Sequence, residues 1–104
     1  MSDPGNVRYL IDETVRLLVV GEGEIKHRLL IAYTQKLQYV RPEDIPADLS
    51  PILVSISKRL FKEPTYKGQS TVEAALYRMH RSTAAKIAAD IFEIHHAVSR
   101  RSFC

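Results

Sequence analysis

The stretch EIKHRLLIAYTQKLQYV, residues 24–40, holds the helical pattern around which we expect the rest of the chain to be arranged. Its apolar residues recur at intervals of three and four positions and comprise Ile25, Leu29, Ala32, Tyr33, Leu37 and Val40. At 3.6 residues per turn such positions form one stripe along a helix. The sequence therefore predicts an amphipathic helix over residues 24–40, with one buried face against which the other helices pack.

The residues before this stretch predict a first helix with an unusually apolar end. A core-facing stripe runs from Val7 to Leu18, and either Asp3 or Asn6 suits the N-cap. Val19 and Val20 make the last turn apolar almost all round, which indicates either enclosure by several partners or a subunit interface. Residues 21–24, Gly-Glu-Gly-Glu, form a short hinge, so we expect the first two helices to make an antiparallel hairpin.

The second half of the chain predicts three shorter elements. Three prolines in residues 42–51 indicate a structured loop with Ile45 and Leu49 tucked inward. Ser50 and Pro51 open a third helix, whose stripe comprises Ile52, Leu53, Ile56, Leu60 and Phe61. Ser70 and Glu73 fit a capping box for a fourth helix. A bend at residues 80–81 separates this helix from a fifth one, for which Ser82 or Thr83 is the predicted cap. His95 lies beside the apolar stripe of the fifth helix, where we expect a partly buried, hydrogen-bonded side chain.

Together these patterns predict an all-α fold. We expect one domain over residues 1–104, built from four to five short helices, in which a helical hairpin is followed by an orthogonal or bundle-like array. The ends, about residues 1–6 and 100–104, are expected to fray. The composition agrees, because 45% hydrophobic and 26% charged residues are typical of a folded globular domain.

No feature of the sequence indicates a membrane protein or a disulfide-stabilised one. The longest apolar run, residues 17–20, is far shorter than the roughly 20 residues of a membrane span, and residues 1–6 lack the character of a signal peptide. The one cysteine, Cys104, is expected to be an exposed thiol. We therefore expect a cytoplasmic protein that does not bind membranes.

Positive charge is concentrated in the second half of the chain. Residues 1–50 carry six basic and eight acidic side chains, whereas residues 51–104 carry nine basic and four acidic ones. The basic residues that could contact nucleic acid or another anion are Lys58, Arg59, Lys62, Lys67, Arg78, Arg81, Lys86, Arg100 and Arg101. The fourth and fifth helices resemble a helix-turn-helix only in outline, and Asp90 and Glu93 on the fifth helix disfavour a DNA-facing surface.

A metal site and an active site are not predicted. Glu24 with His27 and Glu93 with His96 repeat the Glu-x-x-His spacing of dimetal bundles, but helical geometry places all four on outer faces. No serine or cysteine lies in a nucleophile motif, so we expect neither catalysis nor a cofactor.

Surplus apolar residues predict an interaction surface. Off the main stripes lie several tyrosines together with Val15, Val19, Val20, Ile31, Val54 and Phe92. Such surface can drive self-association, and a homodimer is expected. The function predicted from the sequence is a non-catalytic helical module that binds itself or another protein. The alternative is a nucleic-acid-binding protein that uses the basic second half.

Overall fold

Five α-helices make up most of the computed structural model, which describes residues 4–101 and the side chains of residues 6–100. The helices are α1 (Pro4–Val20), α2 (Ile25–Gln35), α3 (Ser50–Arg59), α4 (Thr71–Arg78) and α5 (Arg81–Arg101). Two 3-10 turns, Leu37–Tyr39 and Pro42–Asp44, lie between α2 and α3. No strand occurs among the described residues, so the all-α prediction is confirmed.

The α1–α2 connection folds back as a tight antiparallel hairpin. Leu18, near the end of α1, accepts a hydrogen bond of 3.1 Å from Nη1 of Arg28, near the start of α2. At the other end of the pair, the ammonium of Lys36 lies 5.2 Å from the centre of the Tyr9 ring. Arg28 also donates to the carbonyl of Gly23 at 3.1 Å, so one guanidinium spans the whole hinge.

The helix predicted over residues 24–40 is shorter than its apolar stripe suggested. α2 ends at Gln35, and the Leu37–Tyr39 turn follows a break at Lys36. The side-chain amide of Gln38 donates to the carbonyl of Thr34, the acceptor that a continuing α-helix would offer to the Gln38 backbone. Leu37 is nevertheless buried, because the 3-10 turn winds the chain more tightly but keeps this side chain directed toward the core.

Two helices, rather than α2 alone, form the centre of the fold. α2 packs against α1, α4 and α5, while α5 packs against α1, α2 and α3. The side chains of Leu29 on α2 and of Ile87 and Ile91 on α5 are almost completely buried. α3 therefore packs mainly against α5, and it touches α2 through the hydroxyls of Tyr33 and Ser57, whose oxygens lie 3.5 Å apart.

α3 is anchored through the proline loop before it. Ser50 is the first residue of α3 and not its cap, and its hydroxyl donates to the carbonyl of Pro42 at 2.6 Å. Ile45 and Leu49 are buried as predicted. Phe61, predicted to face the core, is 56% exposed because α3 has already ended at Arg59 and the helical phase is lost.

The ends of the helices also differ from the sequence prediction. α5 begins at Arg81, since the carbonyl of His80 accepts from the backbone N–H groups of Thr83 and Ala84, both at 3.1 Å. Residues 4–6 and 100–101 belong to α1 and α5, so the helices extend into the ends that we expected to fray; the other terminal residues lie outside the described range.

None of the described helices has the length and apolar character that crossing a bilayer requires.

The capping box of α4 provides a test of local stability. The Ser70 hydroxyl accepts from the Glu73 backbone N–H at 3.0 Å, and the Glu73 carboxylate accepts from the Ser70 backbone N–H at 2.9 Å. We expect Ser70→Ala to lower the free energy of unfolding by about 1 kcal/mol, because the helix loses a partner for an orphan N–H group. Urea denaturation followed by circular dichroism measures this loss.

Ser82→Ala is the matched control for the Ser70 variant. Ser82 was predicted as a cap but lies exposed inside α5, so this change is expected to alter stability by less than about 0.5 kcal/mol. Equal losses in the two variants would contradict the assignment of the α4 cap.

Candidate protein-interaction groove

A groove of about 690 Å³ separates α3 from the corner between α4 and α5. We call this feature the basic groove. Its lining combines an apolar floor with a cationic rim and comprises Pro51, Val54, Ser55, Lys58, Arg59, Lys62, Ala75, Arg78, Met79, His80 and Thr83.

One face of α3 supplies half of the basic groove. Pro51, Val54 and Lys58 follow each other at intervals of three and four residues, so helical geometry places them on the same side. Arg59 and Lys62 extend this face toward the end of the helix. A cation in the last turn also interacts favourably with the negative end of the helix dipole. The same cations can therefore stabilise the end of α3 and line the groove.

The opposite wall is the α4–α5 corner, which α2 holds in place. The ammonium of Lys26 donates to the carbonyl of Met79 at 2.7 Å, and Arg81 makes an ion pair with Glu24. Met79 is half-buried and covers the base of this wall. The wall is therefore fixed by contacts with a different part of the chain, and it does not depend on α4 and α5 alone.

Arg78 bridges the wall and the loop that leaves α3. Its Nη2 donates to the carbonyl of Glu63 at 3.2 Å, which leaves further guanidinium N–H groups for a ligand. The backbone N–H of Lys62 donates to the carbonyl of Thr71 at 3.2 Å, which ties the same loop to the start of α4. These two bonds bring Lys62 and Arg78 to one rim.

The charges around the basic groove have one sign. Among the described residues that line it, the ionisable side chains are two lysines, two arginines and His80, and none is a carboxylate. All five are exposed, whereas Val54 and Met79 are partly covered below them. The groove can therefore accept apolar side chains at its floor and anionic groups at its rim.

A second groove lies on the other side of α3. Its volume is about 510 Å³, and it is lined by Pro42, Val54, Ser57, Lys58 and Phe61. Val54 and Lys58 belong to both grooves, so the outer face of α3 forms a ridge between them. The exposed Phe61 adds apolar surface beside the cations.

The structure gathers only some of the basic residues that the sequence singled out. Lys58, Arg59, Lys62 and Arg78 line the basic groove. Arg81 pairs with Glu24 beside the groove, while the exposed Lys67, Lys86 and Arg100 do not line it. The side chain of Arg101 lies outside the described range.

The helix-turn-helix interpretation gains little from the structure. α4 has eight residues and α5 has 21. α5 packs against α1, α2 and α3, which places it in the middle of the fold and not on a surface available to a DNA groove along its length. Asp90 and Glu93 on α5 remain unfavourable for phosphate contact.

The two Glu-x-x-His pairs do not converge. Glu24, His27, Glu93 and His96 are all exposed, and the described residues contain no group of three or more potential His, Cys, Asp or Glu ligands. His95 instead joins α5 to α1, with its Nε2 3.0 Å from Oδ1 of Asp12. This is the partly buried, hydrogen-bonded role that the sequence predicted for His95. Cys104 lies outside the described range.

The apolar floor was missed by sequence reasoning. Sequence patterns place Val54 among the surplus apolar residues and His80 in a bend, and they do not connect either residue with Ala75 or Met79. A signal was present in α3, because Pro51 and Val54 share a helical face with Lys58. Nothing in the sequence indicated that α4 would lie across this face.

Comparison with protein-family models, with curated proteins and with solved structures finds no match to this chain. The basic groove is therefore the feature from which a function can be proposed.

Proposed function

We propose that the chain is a non-catalytic protein-interaction module whose basic groove binds an acidic, partly apolar surface of a protein. The observation that carries this proposal is the apolar floor beneath a rim of Lys58, Arg59, Lys62 and Arg78. Interface centres are typically apolar and their rims polar, which is the distribution found here. The single sign of charge adds a preference for acidic partners and speeds their approach.

Nucleic acid is the second candidate ligand, because the same four cations could contact phosphates. The two ligands use the groove differently. A nucleic acid would depend mainly on the cations and would dissociate steeply between about 50 and about 200 mM salt. A protein partner would depend on Val54 and Met79 as well, and apolar contact is not weakened by added salt.

The proposal is tested with a fluorescent peptide that forms an amphipathic helix with leucines on one face and glutamates beside them. We expect Lys58→Glu combined with Lys62→Glu to weaken its binding at least about tenfold, equivalent to about 1.4 kcal/mol. Fluorescence anisotropy measures the affinity. Lys67→Glu combined with Lys86→Glu is the matched control, because it makes the same charge change outside the groove and is expected to have a much smaller effect.

Val54→Ser separates the two candidate ligands. We expect it to weaken binding of the peptide and to leave binding of a single-stranded oligonucleotide nearly unchanged, since Val54 offers an apolar contact and no charge. Peptide binding that is absent, or that falls equally in both double variants, would overturn the proposal. The homodimer and the cytoplasmic location remain predictions from the sequence.

A further inference from the structure

The end of α1 presents two valines that remain largely exposed in the described part of the chain. Val19 is 60% exposed and Val20 is 61% exposed, although the sequence allowed for their enclosure within the fold. Two adjacent aliphatic side chains with this exposure form an apolar patch at the helix end, and exposed apolar patches can mark an interaction site. Enclosure within the chain is therefore wrong for these two residues, and the alternative predicted from the sequence, a subunit interface, remains.

Negative charge accompanies these valines. Glu22 lies two positions after Val20, is exposed, and makes no hydrogen bond or ion pair with the described residues. The carbonyls of Leu18 and Gly23 beside it are bonded by the Arg28 guanidinium, so Glu22 is the source of the negative charge at this end of α1. We name Val19, Val20 and Glu22 the hinge knob; its chemistry, apolar and negative, complements the apolar floor and positive rim of the basic groove.

The hinge knob and the basic groove lie at the same end of the molecule. Arg28 joins the end of α1 to the start of α2. The start of α2 in turn contacts the groove wall, through Lys26 to the Met79 carbonyl and through Glu24 to Arg81. A two-fold axis through this end can therefore set the knob of each copy opposite the groove of the other.

We propose that the partner of the basic groove is the hinge knob of a second copy of this chain, and that two such contacts form a symmetric dimer. This inference rests on the proposed function, because it names the acidic, apolar surface that the groove binds. In the dimer, Val19 and Val20 lie over the floor around Val54 and Met79, and Glu22 meets the cationic rim. The dimer thereby covers the two valines of the hinge knob and the apolar floor of the basic groove.

A charge exchange between two variants tests the dimer. The groove variant carries Lys58→Glu and Lys62→Glu, and the knob variant carries Val19→Lys and Glu22→Lys; all four positions are exposed, so folding should survive, and circular dichroism checks it. Sedimentation equilibrium should give wild-type protein twice the mass of the chain. Each variant alone should dimerise at least about tenfold more weakly, since like charges then face each other.

Mixing the two variants should restore a dimer. In the mixed pair, the unchanged acidic knob of the groove variant meets the unchanged basic groove of the knob variant, and the two altered patches meet with opposite charges. Native mass spectrometry identifies this heterodimer when the knob variant is isotope-labelled. Lys67→Glu combined with Lys86→Glu is the control and should dimerise as the wild type does.

The inference is overturned by a wild-type monomer at concentrations up to about 1 mM, by variants that dimerise as the wild type does, or by a mixture that stays monomeric. Its failure differs from failure of the proposed function. If the acidic peptide binds the groove while the protein stays monomeric, the groove function stands and the partner is another protein. If neither the peptide nor a second copy binds, both proposals fall.

Discussion

Replacing Leu29 by alanine is expected to lower the free energy of unfolding by about 2–5 kcal/mol. Leu29 is completely buried on α2, which packs against α1, α4 and α5. Removing three carbon atoms there forfeits their transfer free energy and leaves a cavity that three neighbouring helices cannot close together. Because a domain of this size is stable by only about 5–15 kcal/mol, the change should shift a urea transition strongly.

Leu30→Ala is the matched control for this core variant. Leu30 is the next residue of the same helix and is only partly buried, so the same chemical change should cost clearly less. If Leu29→Ala does not fold, Leu29→Met conserves most of the volume and is expected to cost less than about 1.5 kcal/mol. Equal losses at positions 29 and 30 would contradict the orientation of α2.

A second large effect is expected at the hinge, where Gly21→Ala should lower the free energy of unfolding by about 1–3 kcal/mol. A Cβ atom at Gly21 would lie 2.5 Å from the carbonyl oxygen of Leu17 and 2.9 Å from Cγ of Arg28. The first contact is with backbone, which cannot rotate away. The second would displace the guanidinium that bonds to Leu18 and Gly23, so the hinge loses its brace as well.

Gly68→Ala is a useful comparison, because it tests backbone conformation without crowding. Gly68 has a φ of +96°, and an added Cβ would meet nothing within 4 Å. Its loop is exposed and can relax, so we expect a cost of no more than about 1–2 kcal/mol. Chemical denaturation of both variants measures the difference. A Gly21→Ala protein as stable as the wild type would show that the hinge is not packed as described.

Much of the fold could be predicted because it depends on local patterns. The capping box at Ser70, the glycine hinge after Val20 and the inward Ile45 and Leu49 each follow from residues a few positions apart. The wrong predictions concern residues beyond the point where a helix ends. α2 ends at Gln35, with a break at Lys36, and α3 ends at Arg59, before Phe61. A helical wheel drawn through either point assumes a helix that has already ended.

The candidate site was only half predictable. The cations of α3 were identified from charge alone, but nine basic residues were named and four of them meet at the groove. The floor depends on Ala75 and Met79, which lie more than 20 residues from Val54 in the chain. Contacts at such separations depend on how the helices cross, and the spacing of residues within one helix does not specify that crossing.

The residue pattern is enough to specify an all-α protein, the positions of most of its helices and the concentration of positive charge in the second half of the chain. These properties follow from periodicity, capping and composition, which act over a few residues. Three features appear only once the helices are packed: α5 shares the centre with α2, four cations surround an apolar groove, and Val19 and Val20 stay exposed. Each of these features depends on which helix faces pack against each other, and that packing involves residues from the whole chain.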